Sequence, residues 1–416
     1  MKKILVLAFI ITGILSINVY NQEKTLSLDE LISLALERNP KIKSIKNLVE
    51  AKKFRVTPEK TLPDPVIGFN VKNIGIDRFS VGEEMMSGIG FSFFQIVPFP
   101  GKLQLKGEIA TKRALQTEES LKAETLSLIK EIKELYSRLF YYNKAIEILT
   151  KKKEILEKGL KLAEVKYAVG KGIQSDVFKA QVEISKIEEM IIPIREMIRI
   201  VRANINSVLD FPPERPVGIP EEIQFYELKI ELNKLYEEAM KKSPVLREAE
   251  LIIDENFNEV ELAKKEFYPN FMVQGGKDFK GPFKDMYEIM VGIEVPLYYK
   301  KKQANLLSES LSKLSSSKNS YTSMKNEIYF MLNDNFIMAK TSENLIELYK
   351  DRIIPQATLT LESSLANYQV DRVDFLTLLS DINNLFTYEM DYFKELSNLW
   401  ISTAKIEELT SLEIIK

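Results

Sequence analysis

Apolar residues recur every three or four positions over long stretches of this chain. One set falls seven residues apart and is interleaved with a second set, an arrangement typical of a coiled-coil seam. The first set is Leu128, Leu135, Tyr142, Leu149, Leu156 and Ala163, and the second is Ile132, Leu139, Ile146 and Leu160. The pattern predicts one continuous helix over residues 102–169 and a returning helix over residues 173–209.

The lengths of these helices exclude a compact globular shape. At about 1.5 Å per residue, the helix over 102–169 would span about 100 Å. The returning helix covers about 55 Å, and a further helix predicted over residues 232–265 adds about 50 Å. Because two shorter helices placed end to end match the long one, we expect a rod of antiparallel helices.

Four shorter segments alternate between apolar and small or polar residues, and we predict that they are strands. They cover residues 66–72, 88–97, 270–277 and 287–295. One face of such strands suits lipid and the other water, as in a membrane barrel, although an ordinary half-buried sheet has the same alternation. Four strands leave two unpaired edges and small membrane barrels have about eight strands, so several chains would have to share one wall.

The chain also contains an internal repeat. Four short, similar sequence segments occur twice, in the same order and about 200 residues apart. They pair residues 31–40 with 235–244, 62–65 with 267–270, 97–102 with 295–300, and 167–170 with 368–371. We therefore predict two repeats, 23–210 and 232–416, each with a helix, two strands and a long helical hairpin. A proline-rich linker at 211–231 joins them.

The N-terminus carries Met1-Lys2-Lys3 followed by an apolar run and then polar residues. This order predicts a secretory signal peptide over residues 1–22, with a single membrane anchor as the alternative.

The amino-acid composition excludes several classes of functional site. The chain has no Cys and no His, which excludes disulfides, thiolate ligands, the usual zinc sites and Ser-His or Cys-His nucleophile pairs. Its 58 basic residues are interleaved with 60 acidic ones, which argues against a nucleic-acid partner. The carboxylates lie among Lys and Arg as on solvated helix faces, so we predict neither an enzyme nor a cofactor or metal site.

The order of parts and the two hairpin tips resemble the outer-membrane efflux protein family typified by TolC. The first tip reads YAVGKGIQSDVFKAQ over residues 167–181, and the second reads YQVDRVDFLTLL over residues 368–379. Both are similar to the versions found in heavy-metal and cation efflux members, with Asp371 where Gly is usual.

The resemblance implies a mainly α protein with a small β part. It implies a homotrimer in which four strands per chain form a 12-stranded transmembrane β-barrel in the outer membrane, above a long antiparallel coiled-coil helical barrel in the periplasm. It also implies a closed inner end that opens against a periplasmic adaptor (membrane fusion) protein and an inner-membrane pump.

The two tips are the candidate gate, for which we predict eight residues: Tyr167, Gly170, Gly172, Asp176, Tyr368, Asp371, Arg372 and Asp374. The two glycines permit the positive φ angles of a tight helix reversal. Asp176 favours the N-terminus of the returning helix, and we expect Asp371 and Asp374 to do likewise in the second tip. Ordinary turn and capping chemistry explains the same residues equally well.

The resemblance further implies that Asp176 contributes to a polar network at the closed end. Its partner position in the second repeat holds Val373, with Arg372 beside it. The positions that often supply acidic selectivity rings hold Thr377 and Ser380. The exact bridge and a cation-selective ring are therefore not transferred from the family to this chain.

From these observations we predict a passive export channel in the outer membrane, gated at its periplasmic tips. Metal cations, drugs, organic solutes and polypeptides all stay open as cargo. The alternative is a non-conducting periplasmic coiled-coil adaptor or structural rod, which explains the heptads but not the two alternating strand pairs.

Overall fold

A computed structural model describes residues 25–74, 79 and 81–415. The predicted signal peptide lies outside the described residues. The fold is mainly α with a small β part, as predicted. The first half contains β1 (Thr25–Leu26), α1 (Leu28–Arg38), α2 (Pro40–Lys60), β2 (Val66–Lys72), β3 (Gly88–Val97), α3 (Lys102–Ala168) and α4 (Gln174–Val208).

The second half repeats this order of helices and strands. It contains β4 (Ile219–Pro220), α5 (Leu232–Lys242), α6 (Pro244–Lys265), β5 (Asn270–Phe279), β6 (Met286–Glu294), α7 (Gln303–Leu348), a π-helical turn (Tyr349–Ile353), α8 (Ile354–Gln369) and α9 (Phe375–Thr410). The helix α3 has 67 residues and spans about 100 Å. Helix α7, the π-turn and α8 follow one another without a gap and together have the same length.

The prediction of one helix over residues 232–265 is wrong, because the chain forms α5 and α6 with a break at Ser243. The first half has the same break at Asn39, between α1 and α2. In both places the next residue is proline, which lacks an N–H and disfavours helical angles in the residue before it. Asn39 and Ser243 accordingly have ψ angles of 122° and 116°.

The four long strands form one antiparallel sheet in the order β2-β3-β5-β6, so that the pairing of β3 with β5 joins the two halves of the chain. Large apolar side chains of one face, among them Phe69, Phe91 and Ile289, are exposed to solvent in the single chain. On the opposite face, Lys72 Nζ donates to Asp278 Oδ2 at 2.8 Å and to Glu288 Oε2 at 3.2 Å. The described residues leave the outer edges of β2 and β6 unpaired.

The largest apolar core lies midway along the rod, where α1, α5 and the segment between α4 and α5 pack against α3, α7 and α9. A buried ion pair joins Lys133 Nζ to Glu407 Oε2 at 2.6 Å. The other Glu407 oxygen accepts hydrogen bonds from the backbone N–H groups of Ile414 and Ile415, both at 2.6 Å. These bonds satisfy the buried carboxylate and fasten the end of the described chain to α9.

A second core fills the seam between the two helical hairpins α3–α4 and α8–α9. It includes Leu156, Ala163, Ile187, Leu378 and Ile382, all buried. The two tips lie at the end of this seam, and the seam therefore sets the position of one tip against the other.

Candidate functional site

Both hairpin tips reverse the chain with the same backbone device. The third residue after the tyrosine of each tip takes a left-handed conformation, with φ of 73° at Gly170 and 64° at Asp371. In the first tip, Lys171 N donates to Lys166 O at 2.8 Å; in the second, Arg372 N donates to Asn367 O at 3.0 Å. These bonds satisfy carbonyl groups that a helix end otherwise leaves free, as in a Schellman motif.

The sequence prediction is right for Gly170 and wrong for Gly172. Only Gly170 takes a positive φ, and a Cβ atom placed there would meet nothing within 4 Å. A Cβ on Gly172 would instead come within 3.1 Å of the Tyr167 backbone nitrogen and 3.2 Å of the Lys166 carbonyl carbon. Gly172 is therefore needed for close approach of the backbone and not for a left-handed turn.

The acidic residues of the tips have three different roles. Asp374 is the N-cap of α9, and its carboxylate accepts a hydrogen bond from Thr377 N at 2.7 Å, which lowers the pKa of Asp374. Asp176 lies in the first turn of α4, 3.8 Å from Lys179 Nζ. Asp371 was expected to favour the start of α9, but it lies at the end of α8, because its left-handed conformation is what ends that helix.

The sequence analysis missed the residue that joins the two tips, Lys166. This lysine is in the last turn of α3 and is buried, and its Nζ donates to both Tyr368 O and Asp371 Oδ1. The same ammonium lies 4.4 Å from the centroid of the Tyr368 ring, a cation–π contact. The hydrogen bond from Lys166 holds the pKa of Asp371 below its usual value. One lysine of the first hairpin thus contacts the backbone, ring and carboxylate of the second tip.

The equivalent tyrosines of the two tips differ in environment. Tyr368 is 5% exposed and packs against Phe375 with ring centroids 5.6 Å apart, whereas Tyr167 is 48% exposed. Burial raises the pKa of Tyr368, and the negative charges of Asp176 and Asp371 raise it further. Of the eight predicted residues, the structure therefore brings Asp176, Tyr368 and Asp371 together.

Gly172 lies beside the backbone of Lys166 and Tyr167, and Arg372 is exposed at the turn next to Asp371. Further along α9, Thr377 and Ser380 are also exposed and uncharged. The nearby Asp381 accepts a hydrogen bond from Ser364 Oγ, which holds this carboxylate against α8. Within the described part of the chain, no three acidic residues converge in a way that could hold a metal ion.

None of the described helices combines the length and the apolar composition needed to cross a bilayer.

No protein-family model matches this sequence, and no curated protein is similar to it. Solved structures do match. The outer-membrane channel OprN superposes with a TM-score of 0.77 at 15% identity, over 92% of this chain and 89% of that one. The outer-membrane protein VceC from Vibrio cholerae gives 0.78 at 16% identity, over 92% and 95%.

The open state of the MtrE outer-membrane channel from Neisseria gonorrhoeae gives a TM-score of 0.75 at 16% identity, over 92% of this chain and 88% of that one. At such low identity the likeness establishes the fold and nothing finer. The chain has the fold of these outer-membrane channels along almost its entire described length, from the sheet to the hairpin tips.

Proposed function

We propose that this chain is the outer-membrane channel subunit of a tripartite efflux system, a passive duct with a long periplasmic extension. The observation that carries the proposal is that its whole fold, including both hairpins and the four-stranded sheet, matches proteins described as outer-membrane channels. In this proposal, an inner-membrane pump and a periplasmic adaptor drive the cargo, and this chain supplies the walls and the gate.

The sheet supports assembly from several copies. Its exposed apolar face would be costly in water, and its two outer strands have backbone groups without partners. Copies that pair edge to edge would satisfy these backbone groups, and a closed wall of such sheets would place its apolar face against lipid. We propose a homotrimer, as the resemblance to the TolC family implies, in which three sheets form one closed wall.

The two tips are proposed as the periplasmic gate. Tyr368 and Asp371 are held by Lys166, and Asp176 places a further negative charge near Tyr368. A polar cluster of this kind can be separated by an incoming partner more readily than a packed apolar seam, because water and partner groups can replace its bonds. The MtrE channel, which has the same fold, is described in an open state.

For the cargo, we propose classes of molecule and no single compound. Metal cations follow from the resemblance of the tips to heavy-metal efflux members, and drugs are the second candidate. The neutral Thr377 and Ser380 on the exposed face of α9 favour a duct without strong preference for cations.

The proposal is tested by ion conductance of the purified full-length protein in planar bilayers, together with images of single particles in detergent. We expect threefold particles with a rod about 100 Å long and discrete conductance steps. The non-conducting adaptor rod, which is the second candidate, requires the same rod without any conductance. A detergent-independent monomer would contradict both.

The gate is tested separately with Asp176→Ala in cells that lack other routes for large antibiotics. We expect higher sensitivity to vancomycin and a larger mean conductance than for the unchanged protein. The control is Asp334→Ala, since Asp334 is an exposed residue of α7 about 50 Å along the helices from the second tip. Equal sensitivity and conductance for all three proteins would remove Asp176 from the gate but leave the channel proposal intact.

A further inference from the structure

A second feature of the molecule lies far from the tips, where α5 ends and α6 begins. An open cavity of about 760 Å³ is bounded there by α2, α3, α5 and α6. Its charged lining is strongly basic, consisting of Lys46, Lys122, Lys241, Lys242, Arg247 and one acidic residue, Glu119. Such a concentration of one sign is unusual in this chain, whose basic and acidic residues are otherwise closely balanced.

Two of the five cations, Lys46 and Lys241, form no direct ion pair with a described residue, although, besides Lys242, Lys241 is near enough to Glu238 to help lower the pKa of that carboxyl. Three are neutralised by ion pairs of 2.8 Å each: Lys122 with Glu119, Lys242 with Glu238, and Arg247 with Glu250. Among the described residues, no carboxylate forms an ion pair with Lys46 or Lys241. The cavity therefore keeps an excess of about two positive charges, enough to attract an anion into a concave surface.

The helix α6 adds free hydrogen-bond donors to the same cavity. Its N-cap, Ser243, lines the cavity and is only 4% exposed, yet its hydroxyl does not bond to the start of α6. No described group accepts a hydrogen bond from this hydroxyl, which faces the cavity. The N–H groups of Val245 and Leu246, in the first turn of α6, are likewise uncapped.

In the first repeat, the equivalent helix N-terminus is capped by a side chain. Asn39 occupies the equivalent position, and its side-chain oxygen accepts from the N–H groups of Lys41 at 2.9 Å and Ile42 at 3.1 Å. The two repeats share the break before proline, but only the second leaves its helix N-terminus and N-cap hydroxyl available. This difference, together with the uncompensated lysines, points to a ligand that supplies the missing acceptor.

We propose that this cavity binds a soluble anion of the phosphate class that carries at least two negative charges. One phosphate oxygen would accept from the Ser243 hydroxyl and the N–H groups of α6, while Lys46 and Lys241 balance the charge. Leu121 and Leu126 line the same cavity and would contact an organic part of the anion. The site lies about 33 Å, the length of α6, from the start of β5, which favours a dissolved anion over a lipid headgroup.

The test is isothermal titration calorimetry of the purified full-length protein in phosphate-free detergent buffer, with sodium pyrophosphate as the probe. We expect saturable binding with about one site per chain. Ser243→Asp should abolish it, because the new carboxylate caps α6 and occupies the anion position without loss of thermal stability. The double change Lys46→Ala with Lys241→Ala should weaken binding by about tenfold or more.

The matched control is Lys158→Ala with Lys161→Ala, which removes two exposed lysines of α3 near the tips and should leave binding unchanged. Ser243→Asn, which copies the first repeat, should weaken binding because its side-chain oxygen would cap α6 and occupy the free N–H groups. Absence of saturable binding, or equal binding by the Ser243→Asp protein and the unchanged one, would overturn the site. Binding of a short-chain phosphatidic acid without any binding of pyrophosphate would overturn the choice of a soluble anion.

Discussion

The first hairpin tip and the second share one backbone turn but stabilise it in different ways. The first uses Gly170, which has no steric cost in the left-handed region, and its tyrosine is exposed. The second places Asp371 in that region and buries its tyrosine, and both are held by Lys166 from the first hairpin. The first tip is thus self-sufficient, whereas the second depends on its neighbour.

The helices that lead into the two tips differ in their content of charged residues. The last part of α3 is rich in Lys and Glu, as expected of a helix that faces water, whereas Glu362 is the one charged residue of α8. The turn geometry is thus the same in both tips, while the side chains around it differ. Lys166 supplies the polar contacts between the second tip and the first hairpin, beside the apolar seam that includes Tyr368 and Phe375.

The largest effect is expected from truncation of the two equivalent tyrosines. Tyr368→Ala removes a buried ring from contact with Lys166 and Phe375 and should destabilise the second tip by about 3–5 kcal/mol. Tyr167→Ala removes a half-exposed ring and should cost about 0.5 kcal/mol or less. Hydrogen exchange of the backbone amides at 361–379 measures the first effect. Equal loss of protection in the two variants would refute the asymmetry.

A smaller effect is expected from Lys166→Met, which keeps the side-chain length but removes the ammonium. Without its bonds to Tyr368 and Asp371, the second tip should separate more often, raising the open fraction about tenfold. Single-channel recording measures that fraction. Lys171→Met, an exposed lysine of the same turn, serves as the control. An unchanged open fraction for Lys166→Met would show that the tips are held together by other contacts.

A still smaller change in stability is expected from backbone strain, which differs between the two tips. Gly170→Ala should destabilise the first tip by about 1 kcal/mol, because the new Cβ meets no other atom and only the left-handed angle is penalised. Asp371→Gly removes the strain of the left-handed angle but also removes the ion pair with Lys166. It should therefore increase the stability of the second tip only in the Lys166→Met background, where that ion pair is already absent. Local hydrogen exchange in the single and double variants measures both changes. If Asp371→Gly has the same effect in either background, the proposed trade between strain and ion pairing is wrong.

The smallest effect is expected from pH. Because the pKa of Asp371 is lowered in the folded chain, its contribution to the closed tip is present above the ordinary value of 3.8 and is lost as pH falls through the lowered pKa. Conductance should therefore be constant between pH 8 and pH 5 as far as this carboxylate is concerned. A transition in that range that disappears in Asp371→Asn would contradict the assignment.

The sequence predicted the length of α3 and the four long strands because each of these leaves a periodic pattern. The heptads gave the limits of α3 to within one residue, and the alternating segments matched β2 and β3 over their full ranges. Local turn chemistry was also predicted where the residue type is selective, as at Gly170 and Asp374.

Contacts between distant residues leave no such pattern. Lys166 is one lysine among many on α3, and its partner Asp371 is 205 residues away in sequence, so nothing local marks it as special. The break at Ser243 was missed for a different reason. Its proline was recognised as part of the repeat, but the apolar periodicity continues across it, and the pattern alone therefore indicated one helix.

The unpaired outer edges of the four-stranded sheet have a consequence for biogenesis. In the proposed trimer, a newly made chain has to pair its two outer strands with those of other copies, and pairing with other extended polypeptides competes with this step. Maturation should accordingly be steeply dependent on concentration, and overproduction should favour misassembled material. Lys72 of β2 and Glu288 of β6 place charges on the two outer strands, and charges on an edge strand disfavour such pairing.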